Sequence, residues 1–599
     1  MIEALIGWLD AERWRYWAVG LLVTILWLST VVAPWRRATT DPRADSLRLQ
    51  WLDTAVWAFA SFVLLLAWRW PFLVGPHILN PDESQMIAGA ITLKQFPVFW
   101  KYVDGTTHGP LAPFALLFGN VFGIPLNYGG ARLMGGILVV GGLVCAGIGF
   151  HRLYGRRTVR LALAAPVFLC SSISYYDFTG YTSESVPVFL ILAACGLLVS
   201  ALSASPPSDV RTLIKLGAAG TCLGAIPFAK LQGIPIGATI GALGCLTLVA
   251  VRRSWTTRSV SRAIGALVGG ACVPTIVVAV YLWIWGLWAQ FRITYIENNL
   301  IYAASPTHTP ARFIAELWPF IHAAPGLQTL VVVTAAGVAA MFAARLLAPH
   351  RNGPCFCRTT DGDLLLCLRL NFVDRRTFRL MSCCLLLTIA SIFAIGAPGR
   401  HFGHYLQFLL PPLTLLLLLA MGESARACRT RIAGPRLRIA LSTALAVAMV
   451  APLCRTRWAR ADPEMHGLWT RNAGEWRSPV GKVIASIGRP GDALAVWGWM
   501  PHFYVESGLP QATREAHTYG QIMEFPLKGF YRERYLRDFA RSNPRLFVDA
   551  VGGDNFGFKV RADAAHETFP ELAVIVARDY ELLHDIDGTR IYLRRTPSP

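Results

Sequence analysis

Two adjacent carboxylates, Asp82 and Glu83, follow an early apolar segment in the sequence Asn-Pro-Asp-Glu-Ser-Gln over residues 80–85. A carboxylate at the mouth of a membrane cavity can act as a general base on a hydroxyl group, or it can help to hold a divalent cation. The structural alternative is that Asp82 caps a helix over 83–95 while Glu83 stabilises the dipole of that helix. Both interpretations can hold at once, and the pair is the first candidate site in the chain.

A single histidine, His108, lies in the sequence Thr-His-Gly-Pro-Leu over 107–111. The apolar stretch that follows, 112–122, is short for a membrane span and is typical of a helix that lies in the membrane interface. His108 could contact a phosphate group or a metal ion, although a lone histidine in a loop is more often simply solvated. Because of this position, His108 is the second candidate site residue.

Further ionisable and polar residues stand at the ends of later apolar segments. Such residues at membrane depth are costly, which makes them functional candidates by default. Ordinary roles exist as well: Lys230 could extend to lipid head groups, Glu184 could be a charge at a helix N-terminus, and Arg400 could bind lipid phosphate without specificity. The candidates of this group are Asp177, Glu184, Lys230, Arg400, His404, Tyr405 and Gln407.

The composition indicates that a membrane body positions these residues. The chain has 599 residues, of which 54% are hydrophobic and only 15% are charged, and its mean hydropathy is +0.44. Ordinary globular proteins carry about 25% charged residues, so we predict a polytopic α-helical membrane protein with about twelve spans. The predicted spans are 17–34, 51–73, 131–149, 160–175, 184–204, 212–228, 234–251, 263–288, 323–347, 378–396, 405–420 and 438–454.

The distribution of arginine predicts the orientation of these spans. By the positive-inside rule, arginine-rich loops are cytoplasmic. The intervening loop 74–128 and all the candidate residues then lie on the external side, which in a bacterium is the periplasmic side of the inner membrane. The net charge of +20 is spread over short loops, so no nucleic-acid partner is predicted. The arginine-rich loops are 35–50, 150–160, 252–262, 345–379 and 421–438.

The last part of the chain differs from the membrane body in composition. It carries short strand patterns, a charged helix and an Asp-Gly turn between two alternating segments, which is typical of a small α/β domain. The predicted strands are 492–498, 545–551, 580–585 and 589–594, and the predicted helix is 531–541. We predict an N-terminal span and cytoplasmic loop (1–50), a transmembrane catalytic domain (51–454) and a periplasmic α/β domain (455–599).

The order of the motifs resembles the bacterial branch of the GT-C glycosyltransferases, near the protein O-mannosyltransferases and the lipid A aminoarabinose transferases. The resemblance rests on an acidic pair after an early span, a His-Gly-Pro-Leu element before an interfacial helix, and a Thr-Ser-Glu start of a span. A Lys-Leu-Gln turn and a late His-Tyr-Leu-Gln-Phe-Leu-Leu-Pro-Pro segment complete the set. The resemblance covers about residues 51–420, and its strength lies in the ordered set rather than in any single motif.

The resemblance implies an inverting transfer of a hexose or pentose from a polyprenyl-phosphate carrier to a lipid, glycan or protein acceptor outside the cytoplasm. It implies that Asp82 is the base that deprotonates the acceptor, with Glu83 orienting the site or binding a cation. Fixed cations beside the carrier phosphate would stabilise the charge that develops as the phosphate leaves. The candidate cations are Lys230, Arg400 and His404.

The resemblance leaves three assignments open. His108 stands where relatives often carry a lysine, and the charge of a histidine depends on pH. Asp82, Glu83 and His108 together could form a partial site for a divalent cation, although some relatives work without one. Tyr405 and Gln407 are expected to line the cavity rather than to react.

Two other classes of function compete with the glycosyltransferase hypothesis. A transporter or flippase of a lipid-linked saccharide would be expected to have an inverted repeat and broken spans at the membrane midplane, and the sequence shows neither. A non-catalytic assembly protein of the cell envelope would use the C-terminal domain for binding, for instance through Asp549 and Asp554. The sequence favours the enzyme, and it identifies neither the sugar nor the acceptor.

Overall fold

The computed structural model describes residues 13–32, 46–74, 78–203, 209–250, 256–304, 309–346, 356–358, 364–366, 375–428, 435–459, 477–553 and 555–595. Within these ranges, ten helical segments are long and apolar enough to cross a membrane. Each overlaps one predicted span, so the chain is a multi-pass helical membrane protein. Eight of them lie within the single helices Arg13–Val32, Ser46–Val74, Tyr128–Tyr154, Ser185–Leu202, Val210–Ala229, Thr257–Ile284, Pro325–Leu346 and Arg375–Gly396. The other two, Leu231–Ala250 and Gly403–Ala427, combine the short helices Leu231–Gly233 and Gly403–Leu409 with the helices Ile234–Ala250 and Leu410–Cys428.

Two of the predicted spans, 160–175 and 438–454, also form helices but are not among the ten. The first is Arg156–Ser172, in which fourteen consecutive residues are buried. At 1.5 Å per residue, its 17 residues extend about 26 Å, which is short of the roughly 30 Å of hydrocarbon in a bilayer. The second is Pro435–Ala459, which carries arginines near both ends.

Shorter elements connect the spans. The predicted helices over 83–95 and 112–122 are confirmed as Pro81–Gln95 and Leu111–Val121, and the interfacial location of the second stays a prediction. The other short helices of the membrane part are Tyr176–Thr179, Leu231–Gly233, Trp288–Gln290, Phe291–Glu297, Asn298–Ala304, Pro310–His322 and Gly403–Leu409, and the short strands Phe356–Arg358 and Leu364–Leu366 pair antiparallel.

Of the five arginine-rich loops, 150–160 alone is described in full, and its cations contribute to packing. Arg160 is 1% exposed and binds the Asp53 carboxylate at 2.6 Å, and Arg156 contacts the same carboxylate at 3.3 Å. The other four loops fall partly outside the described residues. The cytoplasmic location of all five stays a prediction.

Small residues allow two spans to cross at short range. Between Val210–Ala229 and Thr257–Ile284, a Cβ atom added at Gly220 or at Gly270 would collide with a backbone carbonyl oxygen of the facing helix. Close backbone packing of this kind drives the association of helices in lipid, where burial of apolar side chains between helices contributes little. The membrane body is therefore held together by close packing as well as by its buried polar pairs.

The C-terminal part has the predicted α/β structure. Its four strands form one sheet in the order Leu494–Trp497, Leu546–Asp549, Thr589–Arg594 and Tyr580–Ile586. The first two strands are parallel, and the last two form the predicted hairpin. The predicted charged helix lies within Lys528–Ser542. The remaining helices are Pro479–Ile487, His502–Ser507, Tyr519–Ile522, Arg561–Ala564, His566–Thr568 and Pro570–Asp579.

A buried charge cluster joins this domain to the loop 74–128. The Arg534 guanidinium donates to Asp104 in that loop and to Glu515 in the domain, and the three side chains are at most 2% exposed. The backbone continues the contact, because the Asp104 N–H donates to the Arg514 carbonyl oxygen at 2.8 Å. The Arg514 side chain in turn donates to the Trp100 carbonyl oxygen at 3.0 Å. The domain is therefore fixed against the loop that follows Asp82.

Replacing the central cation of this cluster should weaken the contact between the C-terminal domain and the loop 74–128. Arg534→Met leaves Asp104 and Glu515 buried without their cation, and we expect the free energy of unfolding to fall by about 3–5 kcal/mol. The readout is the melting temperature of the full-length protein in detergent. Arg537→Met is the matched control, because this arginine lies on the same helix, is 59% exposed and pairs with an exposed glutamate. Equal melting temperatures for the two variants would contradict the docking role of Arg534.

Candidate functional site

The helix Pro81–Gln95 begins at Asn80, whose side chain accepts a hydrogen bond from the Asp82 N–H at 2.9 Å. The interpretation in which Asp82 caps this helix was therefore wrong. Asparagine is a strong N-cap residue and proline is favoured at the first helical position, so the Asn-Pro pair starts the helix two residues before Asp82. The Asp82 carboxylate has no capping role.

The two adjacent acids lie in different environments. Glu83 is fully buried: Arg132 donates to its two oxygens at 2.9 and 3.1 Å, and the Tyr181 N–H donates to one of them at 2.9 Å. Asp82 is 43% exposed, and no described residue donates a hydrogen bond to its carboxylate. Successive residues of a helix point about 100° apart, which separates the two side chains. Glu83 anchors the helix in the bundle, whereas Asp82 faces an open space.

His404 lies among three of the predicted carboxylates. Its Nε2 atom is 4.0 Å from an Asp82 oxygen and 4.0 Å from a Glu184 oxygen, and its Nδ1 atom is 3.7 Å from an Asp177 oxygen. The Asp177 and Glu184 side chains are 3% and 0% exposed. The fold thus brings together predicted site residues from three separate segments of the chain.

Lys230 lies at the break between two spans and joins the same cluster. It forms a buried ion pair with Glu184, and it donates to the Ser183 hydroxyl at 2.7 Å. Burial raises the pKa of Glu184, but the charges of Lys230 and His404 outweigh burial and hold this pKa below its usual value. The carboxylate is therefore ionised near neutral pH, and it balances the charge of Lys230.

Two cation–aromatic contacts extend the cluster to Arg400. The Lys230 ammonium is 4.8 Å from the centre of the Tyr405 ring, and the Arg400 guanidinium is 4.5 Å from the centre of the Tyr302 ring. The two tyrosine hydroxyls are 3.3 Å apart. The two predicted cations are thus linked through a pair of rings. The sequence did not indicate Tyr302, because its neighbours carry no motif that distinguishes it from other tyrosines.

His108 is buried rather than solvated. Its Nδ1 donates to the Gly109 carbonyl oxygen at 3.0 Å, which makes Nε2 of the neutral ring an acceptor, and Nε2 has no partner among the described residues. Burial lowers the pKa of His108, and Lys230 lowers it further, against the opposing effect of Asp82 and Asp104. The ring is therefore neutral near pH 7. It can accept a hydrogen bond from a hydroxyl group, but it supplies no positive charge to a phosphate.

Gln407 and Gly403 hold the segment that carries His404. The Gln407 amide donates to the Asp177 carbonyl oxygen at 2.7 Å and to the Thr182 hydroxyl at 2.8 Å. A Cβ atom at Gly403 would collide with the Asp177 carboxylate, so a glycine is needed for the two segments to approach. Gln407 is one of the buried residues around the cluster, and its contacts place it in a positioning role.

The partial metal site predicted from Asp82, Glu83 and His108 does not form. The ligand atoms of these three residues do not all lie within 4.8 Å of one another. Both Glu83 oxygens already accept hydrogen bonds from Arg132, so this carboxylate is not available to an ion. The three residues do not fit a divalent cation, and no step of the chemistry below uses one.

Within the described ranges, one group of side chains does have the spacing of metal ligands. It consists of Asp549, His566 and Glu567 in the C-terminal domain. Arg561 contacts Asp549 at 2.8 Å and Glu567 at 3.3 Å, and Arg590 contacts Glu567 at 3.0 Å. Two arginines thus already neutralise the carboxylates, and the group is best described as an ion-pair network.

Comparisons with known proteins give matches among solved structures. No protein-family model matches the sequence, and no curated protein matches it. A crystal structure of ArnT from Cupriavidus metallidurans bound to undecaprenyl phosphate is 14% identical, with a TM-score of 0.51, over 92% of this chain and 99% of that chain. ArnT in the apo state is 13% identical, with a TM-score of 0.49, over 91% and 98%. The apo Archaeoglobus fulgidus oligosaccharyltransferase is 12% identical, with a TM-score of 0.38, over 82% and 69%.

The first of these matches establishes the fold. It extends over nearly the whole of both chains, so the membrane body and the C-terminal part together follow the architecture of ArnT. The predicted polytopic α-helical fold is confirmed, and the chain shares the fold of the ArnT structure. Because an identity of 14% shows the fold alone, the activity has to be argued from the site.

Proposed function

We propose that this protein is an integral-membrane glycosyltransferase that moves a sugar from a polyprenyl-phosphate carrier to an acceptor hydroxyl group. The observation that carries the proposal is the contrast between Asp82 and the other acids around it. Those acids are at most 3% exposed and each has a partner, whereas Asp82 is 43% exposed. One accessible carboxylate close to buried cations is the arrangement that base-assisted transfer from a phosphate leaving group requires.

In the proposed reaction, Asp82 accepts the proton of the acceptor hydroxyl while the hydroxyl oxygen attacks the anomeric carbon of the donor sugar. The bond from that carbon to the phosphate oxygen breaks, and its electron pair leaves with the carrier phosphate. Attack on the face opposite the leaving group inverts the anomeric configuration. A direct displacement forms no sugar–enzyme bond, so a single base is sufficient.

The cations of the cluster divide into two roles. Arg400 lies over Tyr302 at the edge of the cluster, and we assign it to direct contact with the carrier phosphate. Lys230 is balanced by Glu184, so it contributes a fixed positive charge whose position is held by that pair. Positive charge that is fixed before the reaction stabilises the leaving phosphate more in the transition state than in the ground state.

His404 is better suited to holding Asp82 than to binding phosphate. The ring nitrogens lie within 4.0 Å of three carboxylate oxygens. The negative charge of these carboxylates disfavours binding of the carrier phosphate at His404. We therefore treat His404 as a positioning residue for Asp82. His108, with its free acceptor nitrogen, suits a hydroxyl group of the sugar or of the acceptor.

The proposed donor is an undecaprenyl-phosphate sugar or a close relative of it. The ArnT structure that shares the fold contains undecaprenyl phosphate. The cluster of acids and cations lies at the ends of apolar helices, where the phosphate of a membrane-embedded lipid would meet it. The acceptor is a lipid, glycan or protein of the cell envelope, and the enzyme would act in the bacterial inner membrane.

We further propose that the site faces the periplasm, which cysteine labelling would test. In a cysteine-free variant, Gln95→Cys should react with an impermeant maleimide added to intact spheroplasts, whereas Thr257→Cys should react only after lysis. Both positions are exposed at helix ends, so labelling reports the side of the membrane rather than burial. The opposite pattern would overturn the orientation and the location of the site together.

Transfer itself is tested with the purified protein in liposomes that contain a panel of undecaprenyl-phosphate sugars. We expect release of undecaprenyl phosphate together with a glycosylated product when an envelope extract supplies the acceptor. Movement of the intact lipid-linked sugar across the bilayer, without cleavage of the sugar–phosphate bond, would instead identify a flippase. Envelope glycans of a strain that lacks the protein should then be missing one sugar, which identifies both the donor and the acceptor.

A further inference from the structure

Four ring side chains in the C-terminal domain form a surface that we name the aromatic platform: Trp499, His517, Tyr519 and Phe556. The Trp499 ring is the centre of the group, with ring centroids of His517, Phe556 and Tyr519 at 4.7, 5.1 and 5.4 Å. Phe556 is 59% exposed and Tyr519 is 36% exposed. Phe556 and Tyr519 therefore present aromatic surface that no described residue covers, whereas His517 is buried and stacks on Trp499.

The platform lies just beyond the carboxyl end of one of the two parallel strands of the sheet. Trp499 follows the parallel strand Leu494–Trp497, one residue after Gly498, which has a φ of +110°. The Thr518 hydroxyl accepts from the Gly498 N–H at 2.7 Å and so ties the strand end to the segment that carries His517 and Tyr519. In open sheets with parallel strands, ligands bind outside the carboxyl ends of those strands.

The platform and the Asp82 site meet on one loop. The backbone of Asp104 in this loop donates to the Arg514 carbonyl oxygen at 2.8 Å, and Arg514 is three residues before His517. On the side of the Asp82 site, the Gly105 carbonyl oxygen accepts a hydrogen bond from the Gln85 amide at 3.3 Å. Gln85 lies one helical turn after Asp82.

Tyr302 supplies a second connection. Asn299, one turn before it, donates to the carbonyl oxygen of Thr106 in the same loop at 3.2 Å. The loop that contacts the Arg514 backbone therefore also contacts the helix that carries Tyr302.

We propose that the aromatic platform binds a sugar ring of the acceptor and holds the acceptor hydroxyl toward Asp82; this inference rests on the proposed function. Sugar rings combine apolar C–H faces with hydroxyl groups, and tryptophan and tyrosine combine a large apolar face with a polar atom. The Trp499 Nε1 atom is buried and has no hydrogen-bond partner among the described residues. Phe556 and Tyr519 offer exposed aromatic faces beside this ring, which fits a carbohydrate-bearing acceptor.

Binding can be measured without turnover. The full-length protein in nanodiscs is probed by saturation-transfer NMR with glucose, galactose, mannose, N-acetylglucosamine and arabinose. We expect transfer to at least one sugar, reduced about tenfold in affinity by Trp499→Ala and reduced also by Phe556→Ala, whose ring is the most exposed. Leu582→Ala removes an exposed side chain of the same domain, 52% exposed, and should bind as the wild type does. No sugar binding by the wild type, or equal binding by all variants, would overturn the platform.

Turnover then separates failure of this inference from failure of the proposed function. Trp499→Ala should raise the acceptor KM about tenfold and leave the donor KM unchanged, whereas Asp82→Asn should lower the rate of transfer by about 10²–10⁴-fold and keep sugar binding. Turnover of Asp82→Asn at the wild-type rate would sink the proposed function. An inactive Asp82→Asn beside a Trp499→Ala with normal acceptor KM would sink the platform alone. Brominated lipids that quench the fluorescence of the wild type more than that of Trp499→Ala would assign the ring to the bilayer and also overturn the inference.

Discussion

Asp82→Asn is expected to lower the rate of sugar transfer by about 10²–10⁴-fold. The amide has nearly the shape of the carboxylate but cannot accept the proton of the acceptor hydroxyl. The measurement is the rate at which undecaprenyl phosphate is released in liposomes that contain donor and acceptor. Because Asp82 is 43% exposed and receives no hydrogen bond from a described residue, the melting temperature should stay at the wild-type value.

A matched control comes from the other end of the chain. Glu571 is an exposed acid in the first turn of a helix and directly follows a proline, as Asp82 does. Glu571→Gln should leave the rate of transfer unchanged. Equal rates for Asp82→Asn and the wild type would remove Asp82 from the role of base, and equal losses in both variants would show that the assay reports general damage.

Arg132→Met is expected to lower the free energy of unfolding by about 3–5 kcal/mol. Both partners of the Arg132–Glu83 pair are 0% exposed, so the substitution leaves a buried carboxylate without its cation. The loss should appear as a lower denaturation midpoint of the protein in detergent. Arg426→Met offers a comparison, because Arg426 is 32% exposed in its pair with Glu423. Water can therefore replace part of the interaction that this substitution removes.

The double variant Glu83→Gln/Arg132→Met decides what Glu83 does. Removal of both charges takes away the uncompensated carboxylate, so most of the lost stability should return. If Glu83 only anchors the helix that carries Asp82, transfer should return together with stability. A double variant that is stable but inactive would show that Glu83 takes part in the chemistry. That result would contradict the anchoring role that the hydrogen bonds of Glu83 indicate.

The membrane architecture could be predicted because span length and hydropathy are local properties of the sequence. Ten predicted spans correspond to helices of sufficient length. The helices Arg156–Ser172 and Pro435–Ala459 also form where spans were predicted, and whether they cross the membrane stays a prediction. The signal for the start of the helix Pro81–Gln95 was present in the sequence, because a proline is favoured at the first helical position and so indicates the preceding Asn80 as the cap.

The difference between the two adjacent acids could not be predicted. It depends on Arg132, which lies 49 residues after Glu83 in the chain, and no local pattern pairs them. The same holds for Lys230 and Glu184, which are 46 residues apart. Each ion pair is set by the packing of whole helices, so the sequence could indicate which residues share a membrane face but not which ones neutralise each other.

Whether Asp82, Lys230 and Arg400 share one phosphate-binding pocket is tested most directly by the structure of the full-length protein in nanodiscs with undecaprenyl phosphate. We expect the phosphate within about 4 Å of a nitrogen atom of Arg400 or Lys230, the usual range of an ion pair. The Asp82 carboxylate should face it across a gap that a sugar ring can fill. A phosphate bound among the arginine-rich loops, or separated from Asp82 by packed helices, would contradict the proposed enzyme.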